Sequence, residues 1–149
     1  MNEFKLLIKD IITTENYKSM KDFIHHKGVS TYKHSIEVAY LCYKHYKKKK
    51  RKYTAKELVR AALLHDYYLY DWHHTGEGHR LHGFFHPGKA LKNAIRDFGP
   101  LTKTEAEAIK HHMFPLTIIP PHTRIGILIC YYDKVATIRD YKKKKPHSK

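Results

Sequence analysis

His65 and Asp66 stand side by side at the end of an apolar run, Ala61–Leu64. An imidazole and a carboxylate are costly to bury unless something pairs with them, and a divalent cation suits both groups. His34, upstream, and Asp133, downstream, are further nitrogen and oxygen donors within apolar helical patterns. Mixed nitrogen and oxygen ligands suit Mn, Fe, Co, Ni or Zn better than Ca. The sequence therefore predicts a divalent transition-metal site formed by His34, His65, Asp66 and Asp133.

Two more histidines fit a second ion. His86 is expected to open one helix and His112 to close the next, and Asp66 has two oxygens with which to bridge two ions. Two metals ~3.5–4 Å apart can activate a water and stabilise phosphate oxygens together. The helical phase after Ile109 favours His112 over His111 as the ligand. The choice between one ion and two stays open, as does a second-sphere or surface role for both histidines.

Each of these residues also has an ordinary structural explanation. A histidine such as His65 is favoured by the dipole at a helix C-terminus, and His34 would also serve as a hydrogen-bonded core histidine. Asp133 has Lys134 and Arg139 as surface ion-pair partners. Because the chain has 14 histidines in 149 residues, some of them must be incidental. The metal hypothesis therefore depends on the whole set.

The elements that must position these residues are predicted to be helices. Apolar spacing, capping residues and helix stops indicate helices over 2–12, 15–26, Ser30 or Thr31 to about Tyr46, Thr54 to His65, 86–98, Thr102 or Thr104 to about His112, and Thr123 to about Tyr141. Pro87 is expected in a first turn, where proline is tolerated. Irregular loops are expected over 71–85 and over 113–122. No alternating strand pattern is found.

The expected fold is an all-α, single-domain bundle of about six to seven helices. Accessory helices would occupy residues 1–28, a core 30–140 and a basic tail 141–149. The only cysteines, Cys42 and Cys130, lie in apolar runs, which predicts buried thiols in a reducing cytoplasm. No stretch approaches the ~20 apolar residues of a membrane span, and the N-terminus does not have the pattern of a signal peptide.

The formal net charge is +15, and ten of the positive charges lie in the runs Lys47–Lys52 and Lys142–Lys145. Such runs attract nucleotides or nucleic acid over long range. The ordinary explanation is a solvated loop and a frayed tail. The charge is therefore compatible with a polyanionic partner without identifying one.

The ordered set His34, His65–Asp66 and Asp133 resembles the HD-domain metal-dependent phosphohydrolase superfamily. The surrounding sequence is similar as well, in the stretches 32–39, 61–66, 86–88, 108–112 and 132–134. The resemblance implies an all-helical fold, hydrolysis of phosphate esters or anhydrides, often of nucleotides, and these four residues as core metal ligands. It also implies that His86 and His112 are the extra histidines of a two-metal branch, which includes dinucleoside polyphosphate hydrolases and cyclic-dinucleotide phosphodiesterases.

The chain departs from the common family pattern after the dipeptide. Many relatives have a Lys or Glu a few residues on, where this chain has 67–73, Tyr-Tyr-Leu-Tyr-Asp-Trp-His. Asp71 in that stretch is a candidate for orienting or deprotonating water or for protonating a leaving group. The alternative is that Asp71 holds a ligating histidine by a hydrogen bond.

The predicted function is hydrolysis of a phosphoester or phosphoanhydride, plausibly of a nucleotide, by metal-activated water, with Asp66 and Asp71 as catalytic residues. Lys89, Arg124 and His111 are candidates for neutralising substrate phosphate. His73, His74, His79 and His82 would bind phosphate when protonated.

Two alternatives stay open. The first, taken from the resemblance, is an HD-type di-iron oxygenase that cleaves C–C or C–P bonds. The second is a nucleotide- or RNA-binding module that uses the Lys-rich segments without catalysis. Tyrosine-rich faces leave room for a dimer.

Overall fold

The computed structural model describes residues 2–49, 51–71 and 81–143, which contain seven α-helices and one β-hairpin. The helices are α1 (Glu3–Ile12), α2 (Glu15–Ser19), α3 (Thr31–Lys47), α4 (Ala55–Leu64), α5 (His82–Phe98), α6 (Lys103–His111) and α7 (Arg124–Lys143). The antiparallel hairpin of β1 (Ile24–His26) and β2 (Val29–Ser30) lies between α2 and α3. The predicted all-α class is confirmed, with this hairpin as an addition.

The core forms where α3 packs against α4 and α7, and where α6 packs against α4, α5 and α7. Its fully buried large apolar side chains include Leu58, Leu63, Leu64, Ile109, Ile125 and Ile129. α1 packs on α4, and its buried amphipathic stripe consists of Phe4, Ile8 and Ile11. This packing brings the ends of α4 and α6 close to the first turn of α3 and the middle of α7.

Helix starts follow local side-chain capping. The side chains of Asn2, Thr14, Ser30, Thr54 and Thr102 each accept a hydrogen bond from a backbone N–H in the first turn. At α6 the bond is reciprocal, since Glu105 N–H donates to Thr102 Oγ1 (3.0 Å) and Thr102 N–H donates to Glu105 Oε2 (2.8 Å). The predicted starts of α3, α4 and α6 are confirmed because capping involves only neighbouring residues.

The helix predicted over 15–26 is wrong beyond residue 19. The chain continues through one 3₁₀ turn, Met20–Asp22, and then enters β1. Lys27 and Gly28 have positive φ angles of 48° and 77°, which suit a tight turn between two antiparallel strands. Gly28 therefore closes a hairpin rather than a helix, and the buried His25 lies on a strand.

The predicted start of α5 is also wrong. The helix begins at His82 rather than His86, so Pro87 lies in its second turn, where its missing N–H removes one helical hydrogen bond. Residues 82–85, which were predicted to belong to a loop over 71–85, are therefore helical. His73, His74 and His79 lie outside the described residues, as do Lys144 and Lys145 of the basic tail.

Both cysteines, Cys42 and Cys130, are buried and unpaired, as their apolar surroundings predicted. Within the described ranges, none of the helices combines the length and the apolar character needed to cross a membrane.

Candidate metal centre

The His65–Asp66 dyad lies where α4 ends. His65 is the C-terminal cap of the helix, and Asp66 follows in a turn in which Tyr67 N–H donates to Leu64 O (3.2 Å). Both side chains are buried, with His65 0% and Asp66 1% exposed. The preceding residues Leu63 and Leu64 are fully buried, so the packing of α4 carries the dyad into the interior.

One oxygen of Asp66 faces three imidazoles. Asp66 Oδ2 lies 2.8 Å from His25 Nε2, 3.2 Å from His65 Nε2 and 3.7 Å from His34 Nε2. Asp133 completes this side, with Oδ1 2.9 Å from His34 Nε2 and 3.6 Å from His65 Nε2. The hairpin, α3, the end of α4 and α7 therefore each direct a donor atom to one point.

The other oxygen of Asp66 faces two further imidazoles. Asp66 Oδ1 lies 3.0 Å from His86 Nε2 and 3.3 Å from His112 Nε2. The two histidine nitrogens are 2.9 Å apart. Asp66 thus stands between two groups of ligand atoms, as expected of a carboxylate that bridges two ions.

Backbone carbonyls fix the orientation of three of these rings. The Nδ1–H groups donate to the backbone, His65 to Ala62 O (2.6 Å), His112 to Ile109 O (2.7 Å) and His86 to His82 O (3.0 Å). A carbonyl only accepts, so Nδ1 carries a proton in each of these rings, and Nε2 is the ring atom that faces the cluster. His65 and His112 cap α4 and α6, whose last carbonyls lack helical donors. Such contacts are the usual outer support of metal-binding histidines.

This donor set fits a divalent metal. His86 and His112 present two Nε2 lone pairs to each other at 2.9 Å, which is repulsive without a proton or a cation between them. Within the described part of the chain, His65 Nε2 and both oxygens of Asp66 are buried without a hydrogen bond, although the distances around them are short. Each such buried atom costs ~1–3 kcal/mol when it is unsatisfied. A cation on each side of Asp66 would satisfy these lone pairs together.

The electrostatics of the cluster favour ligation too. Burial, reinforced by His34, lowers the pKa of His25 to about 4, so this ring is neutral at pH 7. Burial opposes the charge on His34, but Asp133 and Asp140 outweigh it and raise its pKa to about 9. Burial alone would raise the pKa of Asp66, yet the charge on His65 and the other imidazoles hold it well below its usual range. Protons thus occupy part of the cluster, and metal binding would release them.

A cavity of about 880 Å³ opens beside the cluster. At its inner end lie Asp66, Asp133, His25 and His86, so donor atoms of both groups reach it. This volume is in the range of small-molecule sites, ~300–1,000 Å³. A substrate in the cavity would contact the metal centre directly.

The structure brings the six predicted ligands together. Three groups of buried donors have atoms within 4.8 Å of one another: His25, His34, Asp66 and Asp133; His65, His112 and Asp133; and Asp66, His86 and His112. The choice of His112 over His111 agrees with this geometry, because His112 is fully buried in the cluster and His111 is half-buried outside it. The assignment of these residues as metal ligands stays a prediction.

The residues predicted to bind substrate phosphate lie elsewhere. Lys89 and Arg124 are exposed, and neither they nor His111 line the cavity. Lys134 does line it, with Nζ donating to His112 O (3.3 Å) and Cys130 O (3.2 Å). Among the described residues, Lys134 is thus the lysine placed to meet a substrate anion.

Asp71, the predicted proton-transfer residue, is half-buried in the segment that leaves the dyad and does not line the cavity. His82 does line the cavity, and its ring stacks on that of His86 with centroids 4.5 Å apart. A catalytic role for Asp71 remains a prediction.

Two residues of the site were missed. His25 was placed in a predicted helix, and the His25–His26 pair beside Lys27–Gly28 was the available signal for a hairpin that carries a donor atom. Asp140 is 2% exposed, and its Oδ2 lies 3.6 Å from His34 Nδ1, behind the ligating face of the ring. Its position two helical turns after Asp133 was the signal that both lie on one face of α7.

Comparison with known proteins gives one match. Residues 31–138 match the family model described as HD domain, a range that contains the six predicted ligands but not His25. Searches of curated proteins and of solved structures gave no match.

Proposed function

The chain belongs to the HD-domain family, and from this we propose that it is a metal-dependent phosphohydrolase that cleaves a phosphoester or phosphoanhydride of a nucleotide. The family consists generally of metal-dependent hydrolases. The observation that carries the proposal is Asp66, buried between two groups of imidazoles with each oxygen facing one group.

Two sets of residues would each bind one metal ion. His25, His34, His65 and Asp133 would hold one ion with Asp66 Oδ2, and His86 and His112 would hold a second with Oδ1. When bound, such ions lower the pKa of a water toward neutrality and act as Lewis acids toward phosphoryl oxygens. The donor set of nitrogen and oxygen atoms suits Mn, Fe, Co, Ni or Zn.

The chain itself supplies position and charge. Lys134 Nζ donates to His112 O, Cys130 O and Cys130 Sγ, and these contacts hold at the cavity wall a positive charge that would attract a phosphoryl oxygen. His26 and His82 also line the cavity and would donate to phosphate oxygens when protonated. The net charge of +15 would favour the approach of an anionic substrate such as a nucleotide.

The test is elemental analysis of the purified protein beside phosphate release from a panel of nucleotides. We expect bound divalent transition metal, phosphate release that stops after chelation, and loss of both metal and turnover in Asp66→Ala and His65→Ala. His122→Ala is the matched control, since the side chain of His122 is 72% exposed and outside the cluster. Turnover retained in metal-stripped protein or in Asp66→Ala would refute the proposal.

A further inference from the structure

Part of the cavity lining is an apolar wall of residues that are not among the proposed metal ligands. Besides the polar groups, the cavity is lined by the apolar side chains Met113, Pro115, Leu116 and Ile138. Leu116 is 48% exposed and Ile138 is 55% exposed, so both present apolar surface to the opening. Large apolar side chains at the mouth of a concave site are typical of ligand-binding pockets.

This wall is built into the fold. Leu116 packs directly on the start of α5, because a Cβ added at Gly83 would lie 2.5 Å from Leu116 Cδ2. The segment that carries the wall is also tied to α7, where Cys130 Sγ lies 3.3 Å from Phe114 O. The wall therefore keeps a defined position relative to the metal-facing residues.

Helix α7 sets the distance between the two ends of the cavity. Asp133, Lys134, Thr137 and Ile138 all line the cavity from consecutive turns of this helix. Ile138 comes five residues after Asp133, which is ~7.5 Å along the helix axis. A ligand with its phosphate beside Asp133 and Lys134 would therefore place a group one sugar away against Ile138.

We propose that this apolar wall binds a flat, weakly polar group that the substrate carries beyond its phosphate, the base in the case of a nucleotide. The inference rests on the proposed hydrolase activity and adds which part of the substrate is recognised. The enzyme then selects substrates that carry the flat group, and a sugar phosphate without that group is a poor substrate.

The test compares three phosphate monoesters with the same leaving group: adenosine 5′-monophosphate, ribose 5-phosphate, which lacks the base, and a ribose 5-phosphate that carries a phenyl ring in place of the base. We expect kcat/KM to be ~10-fold or more higher for the nucleotide than for ribose 5-phosphate, as for other contacts in apolar pockets. An equal advantage for the phenyl analogue would identify any flat group as sufficient, and the absence of this advantage would identify the base as the group that is recognised.

Variants locate the effect. Leu116→Ser and Ile138→Ser should each reduce the advantage of the nucleotide over ribose 5-phosphate. Ile127→Ser is the control, since Ile127 is 53% exposed on the same helix but does not line the cavity. All three side chains are about half exposed, so folding is expected to survive and is checked by thermal melting. Equal kcat/KM for the two esters, unchanged by the variants, would overturn the inference.

A binding measurement separates this inference from the proposed function. If neither the three esters nor the nucleotide panel is hydrolysed, the hydrolase proposal fails. Calorimetry with adenosine and with ribose then tests the wall without turnover. Adenosine binding that weakens in Leu116→Ser and Ile138→Ser but not in Ile127→Ser supports the apolar subsite, and equal behaviour of adenosine and ribose refutes it.

Discussion

Binding of a divalent ion is expected to raise the melting temperature, because the buried cluster contains donor atoms that lack partners without it. His65 Nε2 and both Asp66 oxygens are buried without hydrogen bonds within the described residues. An ion at ~100 times its Kd adds ~2.7 kcal/mol to the free energy of unfolding. For a chain of about 150 residues, each kcal/mol shifts the melting temperature by ~2–4 °C. The expected rise on loading is therefore ~5–11 °C.

Three variants locate this stabilisation. Asp66→Asn preserves the volume but removes the charge between the two imidazole groups, and should abolish the rise. His25→Gln removes one imidazole of the donor group around Asp66 Oδ2, which should weaken metal binding by ~10-fold or more and so remove ~3–6 °C of the rise. His26→Gln is the matched control, since His26 lies beside His25 and lines the cavity but is outside the three donor groups.

The assay is thermal unfolding followed by circular dichroism, on protein stripped with a chelator and then titrated with Mn²⁺ or Zn²⁺. Only the shift within each variant is compared, because the substitutions also change the stability of the metal-free protein. An equal melting temperature with and without metal would refute the reasoning, as would a full rise in Asp66→Asn. An equal loss in His25→Gln and His26→Gln would remove His25 from the ligand set.

Three further predictions concern the scaffold, each measured by urea unfolding. Arg96 and other donors hold the pKa of Asp97 well below its usual range. The stability that Asp97 adds is present above pH ~4, the unfolded value, and is lost as the pH falls. The difference in the free energy of unfolding between wild type and Asp97→Asn should therefore become smaller from pH 7 to pH 2. A difference that stays the same over this range contradicts the prediction. Thr102→Ala, which removes the reciprocal cap of α6, should cost ~1 kcal/mol. Gly126→Ala should cost ~1–3 kcal/mol, because its Cβ would lie 2.7 Å from a carboxylate oxygen and 2.8 Å from a proline carbon. Gly88→Ala, with open space around the added carbon, is its control and should not destabilise.

The sequence predicts a feature well when the interactions that determine it are between residues close together in the chain. Thr54, Thr102 and Ser30 begin helices because their side chains bond to N–H groups within three residues, and such patterns are visible in the sequence. The residues on α3, α4, α6 and α7 that the sequence proposed as ligands were selected for a similar reason, because each lies on or at the end of an apolar helical stripe.

Features that depend on distant packing were missed. Whether residues 20–26 form a helix or a strand is decided by the packing of β1 against α3 and α7 and by the stacking of His25 on His34, with ring centroids 3.8 Å apart. Lys89 and Arg124 were proposed as phosphate ligands from their charge and from their places after His86 and at the start of the last helix, and neither property specifies which helix face borders a cavity. Lys134 borders it together with Asp133, Thr137 and Ile138 of the same helix.

The same long-range packing has a consequence for metal binding. The donors around Asp66 Oδ2 come from the hairpin, α3, the end of α4 and α7, and His34 and Asp133 are separated by 99 residues. No short segment can therefore form this side of the site, and the donors converge only after those elements have packed. The hairpin lies outside the range that matches the family model, so its docking adds a donor that the matched core does not contain. High-affinity metal binding should consequently report completed packing of the hairpin on the helical core.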